Sequence, residues 1–304
     1  MTRLVAVAAL LALSTPALAD DQIPGHSVDP ATDGLIAGVA LAATGGFSLI
    51  PIREDRPLWE RELVASDDAV HDNFSRRASH VSDALLATSL VAPAIYLTGT
   101  VIDDADGDRL ILYGQTIAIN AMLAQAAKHL VQRPRPYLYN PSAAARAYAR
   151  EAGTDAYKSF YSGHAALSFG AAITGAYLVG ASEDRGAARV VAWGAGLLVA
   201  STTASLRVRA GKHFYSDVVI GAVIGSAVGY LVPALHADED AYAPTGPEVL
   251  AAATGLLGGV VLARLLPLEK DPAAPGAPRS VLSRLSVSPA PMPDGFGFAI
   301  GGAL

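Results

Sequence analysis

His213 and Asp217 stand four residues apart, a spacing that brings two side chains together on one turn of helix. The carboxylate can then hold one imidazole nitrogen and leave the other free as a nucleophile. A second histidine, His164, directly follows Ser162 and Gly163. A hydroxyl and an unhindered backbone N–H at a helix start favour an anion. An imidazole beside them titrates near neutrality, which suits a general acid. Lys128, Arg135 and Arg207 supply cations that would neutralise charge developing on phosphoryl oxygens, and guanidinium forks match such oxygens in geometry. These residue types describe phosphoryl transfer to a histidine with side-chain cations in the place of a metal, so no metal and no cofactor is expected.

Neighbouring residues compete for the same roles. Arg133 and Arg135 both precede a proline, and spacing favours Arg135. His129 points to another helix face than Lys128 and reads as structural. Arg209 and Lys212 read as charges at the mouth of the site that attract substrate. Gln115, Asn120 and Gln125, inside an apolar stretch, read as interhelical hydrogen bonds, and the tyrosines between 137 and 161 as anchors at a membrane interface.

These residues must be positioned by helices. The 304-residue chain is 52% hydrophobic and 16% charged, with a mean hydropathy of +0.35, where soluble domains carry about 25% charge. Apolar stretches near the ~20 residues a bilayer requires run at 34–52, 83–102, 109–127, 165–181, 188–206, 217–235 and 247–266. Followed as alternating crossings, they deliver the three polar clusters, at 128–136, 159–164 and 207–217, to one face. Lys128, Arg133, Arg135, Arg146, Arg150, Lys158, Arg207, Arg209 and Lys212 gather there, while the opposite turns carry Asp103, Asp104, Asp106, Asp108, Asp238, Glu239 and Asp240. The absence of cysteine excludes disulfides, thiolate metal sites and a cysteine nucleophile. A net charge of −6 argues against nucleic acid as a partner. Residues 1–19, with Arg3, an apolar run and Ala17-Leu18-Ala19, read as a signal peptide. Residues 20–82 read as an apolar segment and a polar linker, 83–235 as the catalytic helical core and 236–268 as a further apolar helix. The Pro- and Gly-rich tail at 269–304 reads as irregular, with a short strand possible from Phe296 to Leu304.

The clusters resemble the motifs of the phosphatidic acid phosphatase type 2 superfamily: K-x6-R-P in Lys128 to Arg135-Pro136, S-G-H in Ser162-Gly163-His164, and R-x5-H-x3-D in Arg207, His213 and Asp217. Tyr161 stands where the family usually has proline, and Leu206 where it usually has serine. The resemblance, over roughly residues 80–235, implies an all-α, membrane-embedded bundle of about six core helices. It implies that His213 attacks phosphorus, Asp217 orients it, and His164 acts as acid and then base. Lys128, Arg135, Ser162, Gly163 and Arg207 would bind phosphate. The implied substrate is a phosphorylated lipid, hydrolysed at the periplasmic face of a bacterial inner membrane. The same core also serves soluble periplasmic acid phosphatases and vanadate-dependent haloperoxidases, and a non-catalytic anion-binding membrane protein is the third alternative.

Overall fold

The computed structural model describes residues 25–53, 65–104, 107–180, 186–238 and 240–268, together with the backbone at 286–292 and 295–301. The signal-like run at 1–19 lies outside the described residues. The helices are α1 (Pro30–Phe47), α2 (Arg76–Asp104), α3 (Asp108–Val131), α4 (Ala143–Ala152), α5 (Gly163–Gly180), α6 (Gly186–Arg209), α7 (Tyr215–Leu235) and α8 (Gly246–Leu265). Short 3-10 turns occupy Ala65–Val70, Pro136–Leu138 and Gly153–Tyr157.

Of the 18 residues of α5, only His164, Leu167 and Ile173 escape burial. A helix apolar around its whole circumference belongs inside a bundle, and α5 is packed by α7, α6, α3 and α2. The contact with α7 runs along Gly221, Gly225 and Gly229, where small residues let two backbones meet. A Cβ at Gly225 would lie 2.2 Å from the Ala166 carbonyl oxygen. This close crossing sets the start of α7, with Asp217, beside the start of α5, with Ser162. Their backbones join there, the Ser162 N–H donating to the Asp217 carbonyl at 3.1 Å. On its other side α6 is covered by α8.

Among the described residues, five segments, those of α2, α3, α6, α7 and α8, are long and apolar enough to cross a membrane. Their outward positions include Ile95, Val191, Val219, Val223 and Leu257, all exposed. Such a surface suits lipid rather than water. The other two expected spans, α1 and α5, are helices of 18 residues each. α1 nonetheless runs parallel to α3 from end to end. Gln115 donates to Asp33 at 3.2 Å, Gln125 to Ser48 at 2.7 Å, and Gln132 to the Pro51 carbonyl at 2.9 Å. The start of α1 and the three polar clusters therefore lie at opposite ends of the bundle. α2 begins at Arg76, so the polar linker ends sooner than residue 82.

The tail departs from the irregular expectation. Ser286–Met292 and Gly295–Gly301 pair as an antiparallel hairpin, the alternation of Ser, Val, Phe and Ile having the period of a strand. The expected strand at Phe296–Leu304 corresponds to its second arm.

Candidate active site

The chain leaves α3 through Gln132, whose φ of 53° ends the helix in the left-handed region. Its amide ties the turn to the segment after α1, through Pro51 and the Arg53 N–H. The two arginines that follow are separated by this turn. Arg133 is fully buried and points behind the site, donating to Asp217 at 2.6 Å, Ser216 at 2.8 Å and Asp67 at 2.9 Å. Its guanidinium lies 4.0 Å over the Phe214 ring. Arg135 points into the site. It donates to the Asp155 carbonyl at 2.7 Å and carboxylate at 3.0 Å, and its Nη1 stands 3.4 Å from His213 Nε2.

His213 sits in the α6–α7 loop, shaped by Gly211 at φ +69°, where a Cβ would lie 2.2 Å from the Asn73 carbonyl oxygen. Its Nδ1 is 2.7 Å from the Ser159 carbonyl oxygen, which makes Nδ1 the protonated nitrogen. Nε2 then keeps its lone pair, facing the Arg135 guanidinium. Burial, with Arg135, Arg207 and Lys128 after it, holds the imidazole well below its ordinary pKa. A neutral imidazole with a free Nε2 is the state a nucleophile needs. The i,i+4 spacing brings Asp217 only to 3.8 Å from Nδ1. Its carboxylate instead accepts from Ser159 Oγ at 2.6 Å and the Phe214 N–H at 2.9 Å, besides Arg133.

Opposite lies the start of α5. Ser162 accepts from the Ala165 N–H through Oγ at 3.3 Å, which leaves the Gly163 and His164 N–H groups without an intrahelical acceptor. Lys128 reaches this end from α3, and a Cβ at Gly163 would stand 3.0 Å from its Nζ. His164 Nε2 meets Asp83 of α2 at 2.7 Å, and the same carboxylate oxygen accepts from Arg207 at 3.0 Å. Arg207 also donates to Ser82 at 3.1 Å. His164 Nδ1 remains for a ligand. The assigned residues thus converge, with Asp217 behind His213 rather than against it.

Sequence reasoning did not assign Asp67, Asp83, Asp155 or Ser159, whose partners lie 20 to 149 residues away. Lys212 is buried rather than at the mouth, in contact with the Tyr148 hydroxyl and 4.3 Å from that ring's centre. Burial first, then Arg135 and Arg207, lower its pKa to about 7. Arg209 is no mouth charge either: it binds the carbonyls of Ala263, Leu266 and Leu268 at the end of α8. Tyr137 and Tyr161 are core residues, not interfacial anchors. Asn120, expected to bond between helices, is buried with no hydrogen-bond partner among the described residues.

Residues 109–240 match the model of the PAP2 superfamily. Over those residues the chain is similar to that superfamily. The match begins with α3 rather than near residue 80, and it contains every motif residue named above. The match supports a phosphatase-type function in general. No curated protein and no solved structure matches the chain. Both departures from the motifs are buried in apolar clusters. Leu206 packs with Ala78, Ala210 and Ala263, and Tyr161 packs with Ala124 and Ala166.

Proposed function

We propose that this protein is a metal-independent phosphatase of the PAP2 type that hydrolyses a phosphomonoester or diphosphate carried by a lipid. His213 Nε2 attacks phosphorus, a P–N bond forms, and the bond to the leaving oxygen breaks as that oxygen takes a proton from His164. Water then attacks the phosphohistidine and gives its proton to His164, and the P–N bond breaks to free phosphate. Lys128, Arg135, Arg207 and the N–H groups at Gly163 and His164 stabilise the equatorial oxygens throughout. The observation that carries this reading is His213 itself, fixed at Nδ1 by a carbonyl, with an unprotonated Nε2 3.4 Å from Arg135.

A lipid is favoured by where the site is least covered. The His213 side chain is 2% exposed, but His164 is 23% and Asp83 38%. They face each other from α5 and α2, and α2 is one of the segments apolar enough to cross a membrane. A leaving group protonated by His164 would leave the pocket beside α2. The test is phosphate release by the purified chain, with EDTA present, from diacylglycerol phosphates and a water-soluble phosphomonoester. The lipid should be the better substrate in detergent micelles, and His213→Ala should abolish release without changing Tm. Equal release in detergent-free buffer from the soluble ester would support a soluble acid phosphatase instead.

The proposed site opens to the periplasm of a bacterial inner membrane, which requires α1 to start in the cytoplasm, the reverse of what a signal peptide cleaved after residue 19 would give. A cytoplasmic site is the second reading, favoured by Arg77, Arg146 and Arg150, exposed on the site face and outside the pocket. An Ala143→Cys variant, in a chain otherwise free of cysteine, distinguishes them. Labelling in intact cells by an impermeant thiol reagent supports the first, and labelling only after permeabilisation the second.

A further inference from the structure

Three features of the buried zone behind His213 belong together. The imidazole Nδ1 is bound by the Ser159 main chain at 2.7 Å, while the Asp217 carboxylate is 3.8 Å from it. The Ser159 hydroxyl donates to Asp217 Oδ2 at 2.6 Å. The Ser159 N–H donates to the Arg133 carbonyl at 3.0 Å, and the residue is fully buried. All the polar groups of one small residue are thereby engaged: the hydroxyl by the carboxylate, the carbonyl by the imidazole, the amide by the turn after α3.

From this we infer that Ser159 is the positioning residue of the nucleophile, and that Asp217 orients His213 through Ser159 rather than by its own hydrogen bond. Asp217, fixed by Arg133 and the Phe214 N–H, holds the Ser159 hydroxyl. That bond sets the direction of the Ser159 carbonyl, and the carbonyl selects the His213 tautomer with the proton on Nδ1. A carbonyl suits this task because it accepts a proton bond without adding a charge beside the attacking nitrogen. Buried hydrogen-bond chains of this kind are held as a unit, so loosening one member loosens the next.

The inference rests on the proposed phosphohistidine chemistry for its kinetic consequence, but not for its geometry. The test combines Ser159→Ala, Asp217→Asn and the double variant with the 15N spectrum of labelled histidine. Ser159→Ala should lower kcat by roughly tenfold to a hundredfold, the worth of a hydrogen bond to a charged group. KM and tungstate affinity should stay at parental values, since no phosphate-binding cation is touched. The His213 signal should change from one tautomer to a mixture. The double variant should be no worse than Asp217→Asn, because both act along one path. Parental kcat with a parental His213 spectrum in Ser159→Ala would overturn the inference, as would effects of the two substitutions that multiply. Should Asp217→Asn fail to fold, Ser159→Ala and its spectrum decide alone. If the parent chain hydrolyses no phosphate ester, the proposed reaction fails, and the spectrum still judges the relay.

Discussion

Arg133 and Arg135 are two residues apart, each before a proline, and spacing favours Arg135 without showing what Arg133 does. The turn at Gln132 does, burying Arg133 between Asp67 and Asp217 and presenting Arg135 to His213. Removing a buried partner leaves carboxylates unpaired, so Arg133→Ala should destabilise the fold by about 3–5 kcal/mol, read from denaturation in detergent. Arg135→Ala should leave the Tm close to parental and lower kcat by roughly 10²–10³-fold, the scale of a lost oxyanion donor. A large loss of Tm for Arg135 and none for Arg133 would reverse the assignment. The motif residues were legible in the sequence because their spacing is local. Asp67 and Asp83 were not, because each meets its arginine from an element far away in the chain. The His213–Asp217 pair shows a further limit: a four-residue spacing gives proximity, and the packing of the 159–162 loop decides which oxygen the imidazole meets.

At the scale of elements, the apolar runs announced each long helix, but a run of Ala and Gly does not reveal its neighbour. Leu206, one residue before Arg207, is the instructive case. It is fully buried against α2 and α8, while Arg207 turns toward Asp83. Leu206→Ser, which restores the residue usual in the family, should therefore cost stability rather than raise activity. A lost core leucine costs about 2–4 kcal/mol, and kcat should not increase. A faster enzyme of unchanged Tm would mean that position 206 reaches the pocket. The interface tyrosines were misjudged for a related reason. Tyr137, Tyr148 and Phe74 pack under α4 beside Lys212, a small core built from a segment too polar to look like one.

Among the described residues, five segments are long and apolar enough to cross a membrane, and the cations of the site gather at one end of the bundle they form. Lys128, Arg135, Arg207 and Lys212 face Asp83 and Asp155 there, and although desolvation acts the other way, the cations hold Asp155 well below the usual carboxylate range. Lys212, with its pKa lowered to about 7, changes charge near neutrality. A bound dianion favours the ammonium form and raises that pKa. Between the free and bound values the complex holds the extra proton. Tungstate, a dianion across this range, should therefore bind with proton uptake and weaken as pH rises above about 7, up to tenfold per pH unit. Titration calorimetry in buffers of different ionisation enthalpy reads this, and Lys212→Met should flatten the slope. A slope unchanged in that variant would assign the proton elsewhere.

The covalent intermediate is the central claim, and trapping it is the most direct test. Purified protein mixed with a 32P-labelled lipid phosphate and quenched in alkali within one turnover should carry acid-labile, alkali-stable label on His213, with none in His213→Ala. Turnover by the parent without label on His213, or equal label in His213→Ala, would contradict the account.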